Sequence, residues 1–229
     1  EAILGVLPGN NCGGCGYPGC SGLAAAIAKG EAPVDQCPVG GAPVAAKIGA
    51  IMGQEVKETA RQVAFVKCAG KPISILSIRF SRSFSFSEHF AFPGSGAKNC
   101  TFGCMGFGSC VKACPFDAIH IVNGIAVVDQ EACKACGKCV AKCPRHLIEL
   151  VPYDKQTRVA CSSHAKGKAV TAACELGCIG CKKCIRDLGC PAIVMNDGKI
   201  CIDASMCTGC HLCSQVCPVC AIAGGDDYE

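Results

Sequence analysis

Residues 133–144 read CKACGKCVAKCP. Cys133, Cys136 and Cys139 follow one another at intervals of three, and Cys143 comes four residues later with Pro144 behind it. Thiolates at this spacing wrap one face of a [4Fe–4S] cubane, while the fourth leaves for a neighbouring cluster. Gly137 lets the backbone pass close to the metal, and Pro144 turns the chain away because it cannot continue a helix. The chemistry is one-electron transfer, since iron changes valence without rearranging its bonds.

The run returns as Cys207, Cys210, Cys213 and Cys217–Pro218, 74 residues further on, and the same offset maps Cys100, Cys104 and Cys110 onto Cys174, Cys178 and Cys184. The spacing therefore predicts a duplicated unit. Crossed ligation puts Cys133, Cys136 and Cys139 with Cys114, and Cys207, Cys210 and Cys213 with Cys190. Cys178, Cys181 and Cys184 join Cys217. In the first unit Phe107 stands where the second has Cys181, so the simplest set there is Cys100, Cys104, Cys110 and Cys143. A three-iron or empty site is the alternative; Cys100 could instead serve a sixth cluster with Cys68, but the cysteine-free stretch 71–97 leaves such a site short of ligands. Near the start, NNCGGCGYPGC followed by Cys37–Pro38 gives a separate set of Cys12, Cys15, Cys20 and Cys37. Zinc also takes four thiolates, but three close ligands and one distant ligand fit a cubane better than two paired knuckles. Five clusters leave Cys68, Cys161, Cys174, Cys201 and Cys220 over, read as small buried hydrophobes.

The elements that must position these residues are sparse. The 229 residues hold 25 Cys and 28 Gly but no Trp, so metal ligation must replace part of the missing apolar core. A secreted disulfide scaffold is excluded by the odd cysteine count, the cluster spacings and the lack of a signal peptide, which implies a reducing compartment. No run of 18 apolar residues is present. The absence of an initiator Met leads us to expect a missing upstream segment. The formal charge of +4 turns negative once oxidised cubanes add roughly two negative charges each. Lys182, Lys183 and Arg186 then read as a solvated basic patch or as a docking site for an acidic carrier.

The expected fold is α+β, small and irregular: an N-terminal single-cluster [4Fe–4S] domain followed by two duplicated bacterial-type two-cluster ferredoxin domains. We divide the chain into an N-terminal domain with a following helix (1–66), a Ser/Phe-rich connector (67–97), ferredoxin-like domain 1 (98–151), a polar linker (152–173) carrying Cys161 and His164, and ferredoxin-like domain 2 with its tail (174–229). Helices are predicted over about Ser21–Lys29 and, interrupted at Gly49 and Gly53, over Ala42–Val66. Hairpins are predicted around Asn123–Gly124 and Asp197–Gly198. Residues 77–87 read as an exposed strand with Phe80, Phe84 and Phe86 on one face, or as a nonnative stretch. His211 reads as an incidental loop residue that could tune a potential from outside the ligand set.

The phrases EAILGVLPGNNCGGCGYPGC and FGSCVKACPFDAI, followed by repeated ferredoxin runs, resemble the B subunits of Rnf complexes, the membrane-bound ion-translocating ferredoxin:NAD oxidoreductases. The resemblance covers most of the chain except residues 71–97, where long-tailed family members often carry further cysteines. It implies an N-terminal membrane anchor absent from this sequence, a place on the cytoplasmic side of the cell membrane, and reduced ferredoxin as electron donor. No dinucleotide or phosphate loop occurs here, so flavin, NAD and ion translocation belong to partner subunits. Two readings compete: a polyferredoxin-type subunit of a hydrogenase, carbon monoxide dehydrogenase or corrinoid activation system, and a zinc-binding nucleic-acid module. The latter lacks the concentrated basic face it would need.

Overall fold

A computed structural model describes residues 1–56, 60–70, 100–155 and 157–224. The strand expected within residues 77–87 lies outside them. Three helices build the N-terminal part: α1 (Ala2–Val6), α2 (Gly19–Ala28) and α3 (Gly41–Met52). Ile3, Leu7, Leu23, Ile27 and Ile48 bury together between them, each worth roughly 1.5–3 kcal/mol. The helix expected to reach Val66 stops at Met52, because Gly53 takes the left-handed conformation (φ 67°) that ends helices. Gly49 is a close approach, since a Cβ there would meet Val56 Cγ2 at 2.4 Å.

Gln62–Val66, expected as the end of that helix, is strand β1. Val63, Ala64, Phe65 and Val66 are all buried, as in a strand covered on both faces. β1 pairs antiparallel with β4 (Ile148–Pro152), from Gln62 opposite Pro152 to Val66 opposite Ile148. Between them lie α4 (Ser109–Ala113), the hairpin β2 (Ile119–Val122) and β3 (Ile125–Val128), and α5 (Lys138–Lys142). The hairpin turns on Asn123 and Gly124, both with positive φ, which matches the right-handed twist of its strands.

The expected polar linker is also structured. β5 (Arg158–Val159) pairs with β8 (Ile222–Ala223), Thr157 and Arg158 are buried, and α6 (Lys168–Ala173) follows. Then come α7 (Lys183–Arg186), the hairpin β6 (Ile193–Asn196) and β7 (Lys199–Ile202), and α8 (Leu212–Gln215). Both hairpins recur at the 74-residue offset seen in the cysteines. A backbone contact is repeated too, with acceptors 74 residues apart: Lys67 N donates to Leu147 O as Ala160 N donates to Ala221 O. β1 and β5 thus hold equivalent places against the last strand of each unit, and each runs straight into a cysteine, Cys68 or Cys161.

Candidate metal centres

In the N-terminal loop, the backbone N–H of Cys20 donates to Asn11 Oδ1 at 2.8 Å, closing the turn that carries Cys12 and Cys15. Gln36 Nε2 donates to Cys15 O at 3.2 Å, and Gly40 N donates to Cys37 Sγ at 3.4 Å. Burial pushes the Cys37 thiol up, and the nearby Cys15 and Cys20 add to the effect.

In the first unit, Cys114, Cys133, Cys136 and Cys139 line one pocket. Burial raises the Cys139 thiol from 9.0 to about 12, with Cys133, Cys136 and Cys114 acting in the same direction. The backbone N–H of Ala64 in β1 donates to Cys133 Sγ at 3.4 Å. In the second unit Cys178, Cys181, Cys184 and Cys217 line the corresponding pocket. Ala221 N donates to Cys217 Sγ at 3.4 Å, as Leu147 N does to Cys143 Sγ at 3.4 Å in the first unit. Cys207 and Cys210 are neighbours of Cys213, whose thiol burial raises to about 11. Cys190 packs into the same apolar cluster as Cys213. Cys210 is exposed, and the Leu212 backbone N–H lowers its thiol first, with help from the Thr208 hydroxyl.

The set proposed for Cys100 comes apart. Cys110 has Cys104 and Cys143 as its thiol neighbours, while Cys100 lines a different cavity with Cys68, Cys161 and Cys174. The reason is local: Arg145 donates to the carbonyls of Thr101 and Gly103, and Phe102 packs against His164 with ring centroids 5.4 Å apart. Those contacts direct the Cys100 turn toward the Cys161 segment. Phe107 is 59% exposed, so no fourth thiol stands at its position. Three of the five cysteines read as spare, Cys68, Cys161 and Cys174, therefore line one cavity with Cys100. The signal for them in the sequence was the apolar phrase ahead of each, QVAFVKC and RVAC, which places Cys68 and Cys161 at the ends of equivalent strands. His211 also has a structural place: it takes φ 57° before α8, and its Nδ1 lies 3.1 Å from Thr157 Oγ1.

Free thiols in fours are the donor set of a [4Fe–4S] cluster, and all 25 cysteines are free. A single zinc ion needs sulfurs drawn together, about 3.8 Å apart for Zn–S bonds of ~2.3 Å. Among the described residues no three Cys, His, Asp or Glu side chains converge in that way.

The cysteine sets also meet between domains. A Cβ on Gly14 would lie 2.7 Å from Cys136 O and 3.0 Å from Cys136 Cβ, and Cys12 is an electrostatic neighbour of Cys136. The N-terminal loop therefore rests on the first unit's cysteine loop.

Comparison with known proteins agrees with this chemistry. Residues 7–39 match the family described as an Fe-S cluster, and residues 95–144 match the 4Fe-4S dicluster domain. The chain is 41% identical over 223 residues to the B subunit of the ion-translocating oxidoreductase complex of Methanosarcina acetivorans, covering 97% of this chain and 84% of that protein. It is 39% identical to the B subunit of the Na(+)-translocating ferredoxin:NAD(+) oxidoreductase complex of Acetobacterium woodii, over 99% of this chain and 68% of the relative. To the proton-translocating counterpart from Clostridium ljungdahlii it is 34% identical, over 100% and 83%.

Proposed function

Because the chain belongs to the family of Rnf complex B subunits, the iron–sulfur subunits of ion-translocating ferredoxin:NAD oxidoreductases, we propose that it takes electrons from reduced ferredoxin and delivers them to partner subunits. Those partners hold the flavin and NAD sites and the ion path. The observation that carries this reading is the succession of cysteine sets along the chain, which opens with the Cys12 loop resting on the Cys136 loop.

We assign Cys12, Cys15, Cys20 and Cys37 to an N-terminal cluster. Cys114, Cys133, Cys136 and Cys139, then Cys178, Cys181, Cys184 and Cys217, then Cys190, Cys207, Cys210 and Cys213, hold three more in a duplicated pair of two-cluster ferredoxin domains. Cys104, Cys110 and Cys143 form a site with three thiolates. When bound, each cluster supplies a one-electron site whose potential follows burial and hydrogen bonds to sulfur. The chain's own residues set both. Ala64, Leu147 and Ala221 aim backbone N–H groups at ligand sulfurs, and the small apolar cores around Ile119 and Ile193 keep water away from the buried thiols.

The described residues contain no helix long and apolar enough to cross a membrane. We infer a place on the cytoplasmic side of the cell membrane, held by an N-terminal segment or by partner subunits. The exposed Lys182, Lys183 and Arg186 offer an acidic ferredoxin a basic landing site. Mixing anaerobically purified chain with reduced ferredoxin tests the function. Ferredoxin reoxidation matched by bleaching of the chain's own visible absorption, with iron and acid-labile sulfide present in equal amounts, is expected. A colourless protein holding zinc without sulfide would sink the reading, as would an iron-loaded chain that leaves reduced ferredoxin untouched.

A further inference from the structure

The cavity lined by Cys68, Cys100, Cys161 and Cys174 lies outside every set assigned above and has a volume of about 160 Å³. That is about ten times the room one water requires, in an interior where packing seldom leaves gaps larger than a water molecule. Its walls combine small apolar residues such as Gly70, Ala160, Ala173 and Val170 with the polar Lys67, Thr101, Ser162 and Ser163. The chemically distinctive groups in the lining are the four thiols.

Their placement is built from both units. Cys100 and Cys174 are related by the 74-residue offset, and Cys68 and Cys161 end the equivalent strands β1 and β5. The two strand ends are tied together, since Ala69 N donates to Ala160 O at 3.0 Å and Ser162 Oγ donates to Lys67 O at 2.9 Å. Two glycines keep the backbone clear of the sulfurs. A Cβ on Gly70 would sit 2.9 Å from Cys174 Sγ and 3.9 Å from Cys68 Sγ, and one on Gly103 would sit 3.3 Å from Cys68 Sγ and 3.6 Å from Cys100 Sγ. Neighbouring sulfurs are thus close enough to share one cluster.

We propose that Cys68, Cys100, Cys161 and Cys174 hold a further [4Fe–4S] cluster at the junction of the two ferredoxin units. The surroundings fit a ligand role. Cys68 Sγ accepts the backbone N–H of Cys104 at 3.3 Å, and Cys161 Sγ accepts those of Ser163, at 3.5 Å, and Cys178. Cys104 and Cys178 belong to the sets on either side, and they too are related by the offset of 74. The cavity therefore touches one cysteine set of each unit through one N–H···S contact apiece. The site draws one ligand pair from each unit, which explains why it has no compact motif in the sequence.

This inference rests on the iron–sulfur reading of the chain, and the test separates the two. Iron, acid-labile sulfide and zinc are measured on the anaerobically purified full chain and on Cys161→Ser, Cys174→Ala and Cys220→Ser, with Mössbauer spectra of ⁵⁷Fe-grown protein. Cys220 is exposed and lines no cysteine pocket, so its variant reports nonspecific loss. Each cavity variant is expected to lose about four irons and four sulfides per chain, with the circular dichroism spectrum and the remaining clusters retained, while Cys220→Ser keeps the full content. Equal iron in wild type and both cavity variants would overturn the site, as would zinc lost in place of iron. Wild type without iron or sulfide would overturn the iron–sulfur reading itself. If Cys161→Ser does not fold, Cys174→Ala decides, because Cys174 lies beyond the short helix α6 and outside the β5–β8 pairing.

Discussion

The identity of one side chain decides what the first unit's second site can hold. At Phe107 the aromatic ring is exposed, whereas Cys181, 74 residues on, lines the pocket with Cys178, Cys184 and Cys217. Three thiolates leave one corner of a cubane without a cysteine ligand, the condition under which a three-iron centre persists. Phe107→Cys restores that ligand. Expected is a gain of about one iron per chain and loss of any oxidised-state EPR signal from a three-iron centre; an unchanged signal and iron count would show that the loop cannot bring residue 107 to the metal. Protonation acts at the same scale. Iron binds thiolate and so must displace a proton from each thiol, and burial raises Cys139 to about 12 and Cys213 to about 11. Protons therefore compete with iron, and metal retention falls as pH falls. In a chelator challenge stepped from about pH 8 to pH 6, iron loss should grow as the pH drops, and retention independent of pH would contradict the competition.

Among the elements, β1 carries the most consequence and was the least legible in the sequence. The alanine-rich spacing before it favours a helix, and QVAFV is too short to reveal a period of its own. Its strand state comes from pairing with β4, more than eighty residues away, a partner that local propensity does not see. The hairpins, by contrast, were readable, because Asn123–Gly124 and Asp197–Gly198 fix their turns locally. The same division holds for the metal ligands. Compact motifs such as Cys133–Cys143 announce themselves, while Cys68 and Cys161 meet only after β1 and β5 dock on their partners. β1 also tunes the site beside it. The Ala64 N–H points at Cys133 Sγ and is free of the ladder, so an amide-to-ester exchange at residue 64, with lactic acid in place of Ala64, removes the donor without adding bulk. A hydrogen bond to a charged sulfur favours the more negative, reduced state. Losing a difference of about 1 kcal/mol lowers the potential by ~40 mV for one electron, given 59 mV per tenfold change. An EPR-monitored redox titration with iron content unchanged would show the shift, and an unmoved potential would remove β1 from the tuning role.

At the scale of the whole molecule, three small cores centred on Ile48, Ile119 and Ile193 stand in for the single core a chain of this length usually builds. They hold together because cysteine loops lie against one another. Ala160 and Ala223 from the second unit bury in the first unit's core, and the N-terminal part touches the first unit through Gly14 against Cys136. Gly14 has no left-handed backbone to protect, so a substitution there acts through space alone. Its Cβ would meet backbone atoms of the Cys136 loop at 2.7–3.0 Å, and backbone cannot swing aside as a flexible side chain can. Gly14→Val should therefore lever the N-terminal loop away while each set keeps its own thiolates. We expect full iron content, little change in melting of the two ferredoxin units, weakened magnetic coupling between the N-terminal and Cys136 centres in the dithionite-reduced EPR spectrum, and electron delivery to or from the N-terminal centre slowed at least tenfold. Lost iron would mean that Gly14 shapes its own set, and unchanged coupling would mean that the two loops are joined elsewhere.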